Sequence, residues 1–201
     1  MNAKEKKTNE IELALLNKIQ NGKNITQRSI SKDLNVALGI ANSLIKKFIK
    51  KGFLKFKHAP MKRYFYYLTP KGIVEKTKLT REYLKSSLQF YSNSRKEYEE
   101  LLTVISKKKK KNLIFVGCSE LTEIAILAAR NISIEVNYIY SISFNRKIFC
   151  GIKVINNLKN NFNRENTLFL LTELNEPKIL FDAINKDYEI FKPNFLLIDE
   201  K

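Results

Sequence analysis

The chain has a single histidine, His58, and only two cysteines, Cys118 and Cys150. A zinc finger needs several Cys or His ligands at short spacings, and this chain cannot supply them. Two cysteines are too few for a disulfide framework, and nothing else points to an oxidising compartment. General acid–base work usually recruits histidine or paired carboxylates, and no nucleophile–base pair or carboxylate pair appears. Long apolar runs are also missing. No window approaches the roughly 18 apolar residues of a membrane span, and the polar N-terminus MNAKEKKTNE lacks the apolar core of a signal peptide. These scarcities predict a soluble, cytoplasmic protein that is not an enzyme, holds no metal and enters no membrane.

Acidic side chains are scarce in one half only. The 201 residues carry 37 Lys/Arg against 20 Asp/Glu, a formal net charge of +17. Residues 1–111 hold 27 basic against 9 acidic side chains, an excess of +18, whereas residues 112–201 hold 10 against 11. Lysine-rich composition inherited from an AT-rich genome would spread the charge evenly. Its confinement points instead to a polyanionic partner for the first half, nucleic acid ahead of membrane.

The stretch TQRSISKDLNVALGIANSLIKKFIKKG (26–52) has the pattern of two helices around a turn. Ile30 and Leu34, then Ala41, Ile45, Phe48 and Ile49, fall at helical spacing and predict burial against a preceding helix at about Glu10 to Gln20. Thr26 is the expected N-cap, and Asn35–Gly39 the expected turn. The second helix then turns Asn42, Ser43, Lys46, Lys47 and Lys50 outward, polar groups suited to base edges and phosphates. FLKFK and YFYYLT alternate as strands around the basic tip HAPMKR, which predicts a hairpin with His58, Lys62 and Arg63 at its end.

The pattern TQRSISKDLNVALGIANSLIKKFIKKGFLKFK…YFYYLTPKGIVEKTKLT resembles a winged helix-turn-helix regulator of the MarR family, nearest to its exopolysaccharide-associated branch. The resemblance covers residues 10 to about 105. It implies duplex DNA as partner, with Asn42, Ser43 and Lys46 base-facing and Gln27, Arg28, Lys62 and Arg63 at the backbone; Gly39, Lys47, Lys50 and His58 complete the expected DNA-binding surface. Two positions depart from the family pattern: Ala37 replaces the expected N-cap hydroxyl, and Ile40 sits where a basic residue is usual.

Residues 70–106 contain no proline after Pro70 and only Gly72 among glycines, so one long helix is predicted, with Thr69 as N-cap and Pro70 in the first turn. Along it Ile73, Thr77, Thr80, Leu84, Ser87, Tyr91, Ser94, Tyr98, Leu101 and Ile105 form a polar heptad seam, improved by shifting to Leu84, Leu88, Tyr91, Tyr98, Leu102 and Ile105. Such a seam predicts a homodimer, which suits a two-fold operator.

Beyond SKKKKK (106–111), short apolar runs alternate with helical stretches: LIFVG, a helix at about Ser119–Arg130, IEVNYIYSI, GIKVI, TLFLLT, a helix at about Pro177–Asp187, and FLLI. That alternation predicts a parallel α/β sheet. LIFVGCSELTEIAILAAR opens like a phosphate-binding βα unit, but Ser119 and Thr122 replace the second and third glycines of the dinucleotide fingerprint. With FNRKIFCGIKVI, residues 112–198 resemble the Rossmann-like nucleotide-sugar-binding domain that precedes some sugar acyltransferases, and related CoA-binding folds. Redox-sensing repressors that join a winged helix to an NAD-binding domain are an architectural analogy. The resemblance implies a nucleotide or nucleotide-sugar ligand, placed at Gly117, Cys118, Ser119 and Glu120 and at Ser141, Ser143 and Arg146; an α/β domain serving only protein contacts is the alternative.

The expected architecture is therefore a two-part α/β protein: a winged helix-turn-helix (1–69), a long linking helix (70–111) and a Rossmann-like parallel α/β domain (112–201). The expected function is a dimeric DNA-binding transcriptional regulator whose α/β part senses a ligand or contacts protein. The alternatives are a sequence-indifferent nucleic-acid binder and a nucleotide-sugar-binding enzyme subunit.

Overall fold

The computed structural model describes residues 3–22, 25–59, 63–108, 112–158 and 162–198. The chain divides into two compact units, Met1–Leu88 and Gln89–Lys201. The first contains α1 (Ala3–Asn21), α2 (Gln27–Asp33), α3 (Leu38–Lys50), the hairpin strands β1 (Leu54–Ala59) and β2 (Arg63–Leu68), and the first half of α4 (Pro70–Ser106). Three helices followed by a hairpin form a winged helix-turn-helix, as the spacing predicts. Its core joins the stripe residues Ile30, Ala41 and Phe48 to Leu15 and Leu16 of α1, all fully buried, and Leu79 of α4 packs with them.

Local chemistry explains where these elements begin. Thr26 caps α2 in a reciprocal box with Ser29: its hydroxyl accepts from Ser29 N at 3.1 Å and its own N–H is taken up by Ser29 Oγ. Asn35 reverses the chain at φ +49, a conformation that asparagine tolerates better than most residues. The turn is tighter than the sequence suggests, because α3 already starts at Leu38 and Gly39 lies inside its first turn. α1 also begins earlier than expected, at Ala3 rather than near Glu10.

Thr69 ties the hairpin to α4. The Thr69 hydroxyl accepts from Gly72 N at 3.0 Å, capping α4, and contacts the carbonyls of Gly52 at 2.6 Å and Phe53 at 3.2 Å. Thr69 N donates to the same Phe53 carbonyl at 3.0 Å. Gly72 presses so closely on that carbonyl that a methyl group on Gly72 would sit on its oxygen.

The second unit holds β3 (Asn112–Val116), α5 (Glu120–Asn131), β4 (Tyr138–Tyr140), β5 (Ile148–Phe149), β6 (Ile152–Ile155), β7 (Thr167–Leu171), α6 (Pro177–Asn185) and β8 (Glu189–Phe191). The sheet order is β5-β6-β4-β3-β7-β8, parallel except for the β5–β6 pair. Strand β3 is buried on both faces, as a central parallel strand must be. Leu113 and Phe115 pack towards α5 and the buried Tyr98, Leu102 and Ile105 of α4, while Ile114 and Val116 pack towards Phe181 and Ile184 of α6.

Two expectations are corrected. The run FLLI is not a strand; the last strand is Glu189–Phe191, and Pro193 precedes a short 3-10 turn at Asn194–Leu196. Proline lacks the ladder N–H, and Leu197 at φ +45 bends the chain out of extended geometry. The heptad seam is also divided. Ser94, Tyr98, Leu102 and Ile105 are consumed by the chain's own second core, and the Tyr98 hydroxyl donates to the Leu171 carbonyl at 3.2 Å. Only the earlier seam positions, such as Leu84 (53% exposed) and Leu88 (67%), remain on the surface.

Two helix glycines should respond oppositely to alanine. Gly72→Ala forces a methyl against backbone and should destabilise the first unit by about 2 kcal/mol or more. Gly39→Ala has open space and should stabilise by roughly 0.5–1 kcal/mol. Urea unfolding of both variants measures the contrast, and equal effects would contradict the packing described.

Candidate nucleic-acid interface and the α/β crevice

α3 presents Gly39, Ser43, Lys46 and Lys50 along one exposed stripe at intervals of three and four. No atom lies within 4 Å of the space a Gly39 side chain would fill, so backbone is accessible at the start of this helix. Ala37 stands at the N-cap without a side-chain hydrogen bond. Leu38 and Ile40 are exposed beside it, at 42% and 55%. Asn42 is less available than its spacing predicts: it is half-buried, and its Oδ1 is buried without a hydrogen-bond partner.

Lys47 is exposed on α3 and already has a partner. Its ammonium turns back to Glu12 of α1, with Nζ 2.5 Å from Oε1. Glu12 is 7% exposed, and the ion pair offsets part of the cost of burying its carboxylate. Thirty-five positions separate the two residues, and no local pattern connects them.

The inner face of the hairpin completes the surface. Tyr66 accepts a hydrogen bond from Gln27 Nε2 at 3.0 Å, which ties the start of α2 to the hairpin and half-buries Gln27. Phe56, Tyr64 and Tyr66 face Ile45, Lys46 and Ile49 of α3 across a groove of about 290 Å³. Arg28 is exposed nearby. Lys62 lies outside the described residues, as do the side chains of His58 and Arg63. Charge reinforces the geometry: positions 34–74 contain nine Lys/Arg and no Asp or Glu.

In the second unit the strand order reverses direction between β3 and β7, the place where open α/β sheets usually leave a ligand crevice. Here the two following loops are stitched together. Ser119 Oγ donates to the Thr172 carbonyl at 2.7 Å. The Thr122 hydroxyl donates to the Gly117 carbonyl at 2.9 Å and lies 3.0 Å from the Thr172 hydroxyl. Gly117, at φ +111, rests so tightly on Glu173 that a Cβ would come within 2.7 Å of its Cα. The candidate residues Gly117, Cys118, Ser119 and Ser141 do converge here, for Cys118 and Ser141 hydrogen-bond through their side chains. Glu120 is exposed at the same turn, while Ser143 and Arg146 lie on the exposed connection from β4 to β5.

The start of α5 is poorly disposed to receive phosphate. Ser119 Oγ already accepts from Leu121 N at 3.2 Å, and Thr122 Oγ1 from Ser119 N at 3.1 Å. Glu120 and Glu123 place negative charge in the first turn, where they complement the helix dipole and repel an anion. Burial pushes the Cys118 thiol up to about 11; its hydrogen bond with Ser141 opposes this, and Glu173 and Cys150 reinforce it.

Removing Lys47 should strand the Glu12 carboxylate. Lys47→Ala is expected to destabilise by about 1–2 kcal/mol, whereas Lys46→Ala should leave stability within about 0.5 kcal/mol; thermal melts of both variants distinguish them. At pH 8 only about one Cys118 in a thousand carries a thiolate. Iodoacetamide should therefore label the exposed Cys150 first, and mass spectrometry showing Cys118 ahead would overturn its inert character.

No family model matches the chain, and no curated protein matches it. Among solved structures it is similar to the PcaV transcriptional regulator from Streptomyces coelicolor in complex with its natural ligand, at 15% identity over 47% of this chain and 72% of that one, TM-score 0.38. It is similar to MepR, a transcription regulator of the Staphylococcus aureus multidrug efflux pump MepA, at 20% identity over 50% and 74%, TM-score 0.38. It is also similar to Streptococcus pneumoniae FabT in complex with DNA, at 20% identity over 61% and 69%, TM-score 0.34. These likenesses lie within regulators of transcription and are too low in score to assign the chain to a family.

Proposed function

We propose that the chain is a DNA-binding transcriptional regulator of MarR type that acts in the cytoplasm as a homodimer. The observation that carries this is the exposed Ser43–Lys46–Lys50 stripe on α3, followed by a hairpin, in a 41-residue stretch without a single carboxylate. A basic helix face of this shape suits the major groove: a hydroxyl reaches base edges and ammonium groups neutralise phosphates. Lys46 and Lys50 are the main contacts proposed, with Arg28 on the backbone. Asn42 contributes only if its amide leaves its half-buried position. The exposed Ile73, Leu84 and Leu88 on α4 supply the apolar surface for the second copy. The second unit serves for ligand sensing or protein contact, and its capped, acidic α5 start favours a ligand without phosphate at that turn.

Selection from a random duplex library at near-physiological salt tests the proposal. A two-fold symmetric motif should emerge from the wild-type chain. Ser43→Ala should relax one position of it, and Lys46→Ala should weaken binding by roughly 5- to 20-fold with a shallower salt dependence. Enrichment of no motif, with only uniform salt-dependent retention, would leave a sequence-indifferent binder in its place.

A further inference from the structure

The hairpin has a second face that duplex reading does not use. Side chains alternate along a strand, so Leu54, Phe56, Tyr64, Tyr66 and Leu68 fall on the inner side towards α3. Lys55, Lys57, Phe65 and Tyr67 fall on the outer one. The register sets Lys55 opposite Tyr67 and Lys57 opposite Phe65, which gives a square of two ammonium groups and two rings. Phe65 is 41% exposed and Tyr67 40%, and Lys57 Nζ stands 6.0 Å from the Tyr67 ring centre. Two large aromatic rings side by side on one exposed strand face form a surface suited to an occupant.

We propose that this outer face binds unpaired nucleic acid, with bases stacked on Phe65 and Tyr67 and phosphates held by Lys55 and Lys57. A duplex shows groups in its grooves only base edges, so a ring that stacks needs a base taken out of its pair. Phe65 and Tyr67 are two positions apart on one strand, roughly 6.6 Å. That is about twice the 3.4 Å step of a stacked strand, and it suits a stretched single strand. The charge is complementary, since the hairpin and its flanks carry no acidic residue. A second copy of the chain seated here would bring like lysines together, which disfavours self-association. A membrane surface is a poorer match, because two rings on one strand offer far less apolar area than an interfacial helix buries.

The inference is independent of the duplex proposal, and its test separates them. Fluorescence anisotropy with the full chain, at about 0.1 M salt, would compare an oligothymidylate of about 15 nucleotides with a random duplex of equal length. Phe65→Leu/Tyr67→Leu keeps apolar bulk on the strand and removes both rings. It should lose at least tenfold in affinity for the single strand and stay within twofold on the duplex, with an unchanged thermal melt. Lys55→Gln/Lys57→Gln should flatten the salt slope for the single strand by about 1.4, two phosphates at roughly 0.7 each. Lys46→Ala should leave single-strand binding intact. The inference is overturned by wild-type chain that ignores the oligothymidylate, by a double-leucine variant within twofold of wild type, or by equal losses on both nucleic acids. It is also overturned by ring-dependent binding to anionic phosphatidylserine vesicles with the oligothymidylate unaffected.

Discussion

The first unit depends on one carbonyl, that of Phe53. It receives the backbone and hydroxyl of Thr69 and lies against Gly72 with no room for a side chain. This contact joins the last turn before the hairpin to the first turn of α4, and so closes the hairpin around Leu54 and Leu68. Its parts are cheap individually, since one hydrogen bond contributes about 1 kcal/mol. Together they leave no alternative register for β1 and β2, because a slip would turn every side chain to the other face. Both faces of the hairpin, and therefore both candidate surfaces on it, inherit their composition from that register.

The second unit solves a different problem. Its strand order creates a crevice that the chain itself closes with Ser119, Thr122 and Thr172. Hydroxyls now occupy the donors and acceptors that backbone would otherwise offer a ligand. The two substituted glycine positions of the fingerprint are residues of this stitching, so their replacement has a structural outcome of its own. Each hydroxyl satisfies groups that burial would otherwise leave unpaired, which makes the turn rigid and poorly suited to a phosphate.

Much of this was legible in the residues. Thr26, Thr69 and Pro70 marked helix starts by chemistry that acts within three residues, and the hairpin followed from strict alternation around a basic tip. The central strands were legible because burial on both faces demands unbroken apolar runs. Relations between distant positions were not. The pairing of Lys47 with Glu12 joins two helices with no shared pattern, and it gives an exposed lysine a partner that spacing alone could not name. Tyr98, Leu102 and Ile105 kept a heptad period whichever partner they packed against, and periodicity does not name the partner. FLLI read as a strand from its composition, until Pro193 and the left-handed Leu197 intervened.

The helices differ in how they begin. α2, α4 and α5 each start with a hydroxyl that takes up a free N–H, and α3 starts with Ala37 and no such bond. A serine there would typically add about 1 kcal/mol of stability. α3 is thus held below the stability that a capping hydroxyl would give it. α6 likewise starts without a side-chain cap, but in the first unit the deficit falls on the helix that carries the exposed Ser43–Lys46–Lys50 stripe, the mark of a compromise between stability and use.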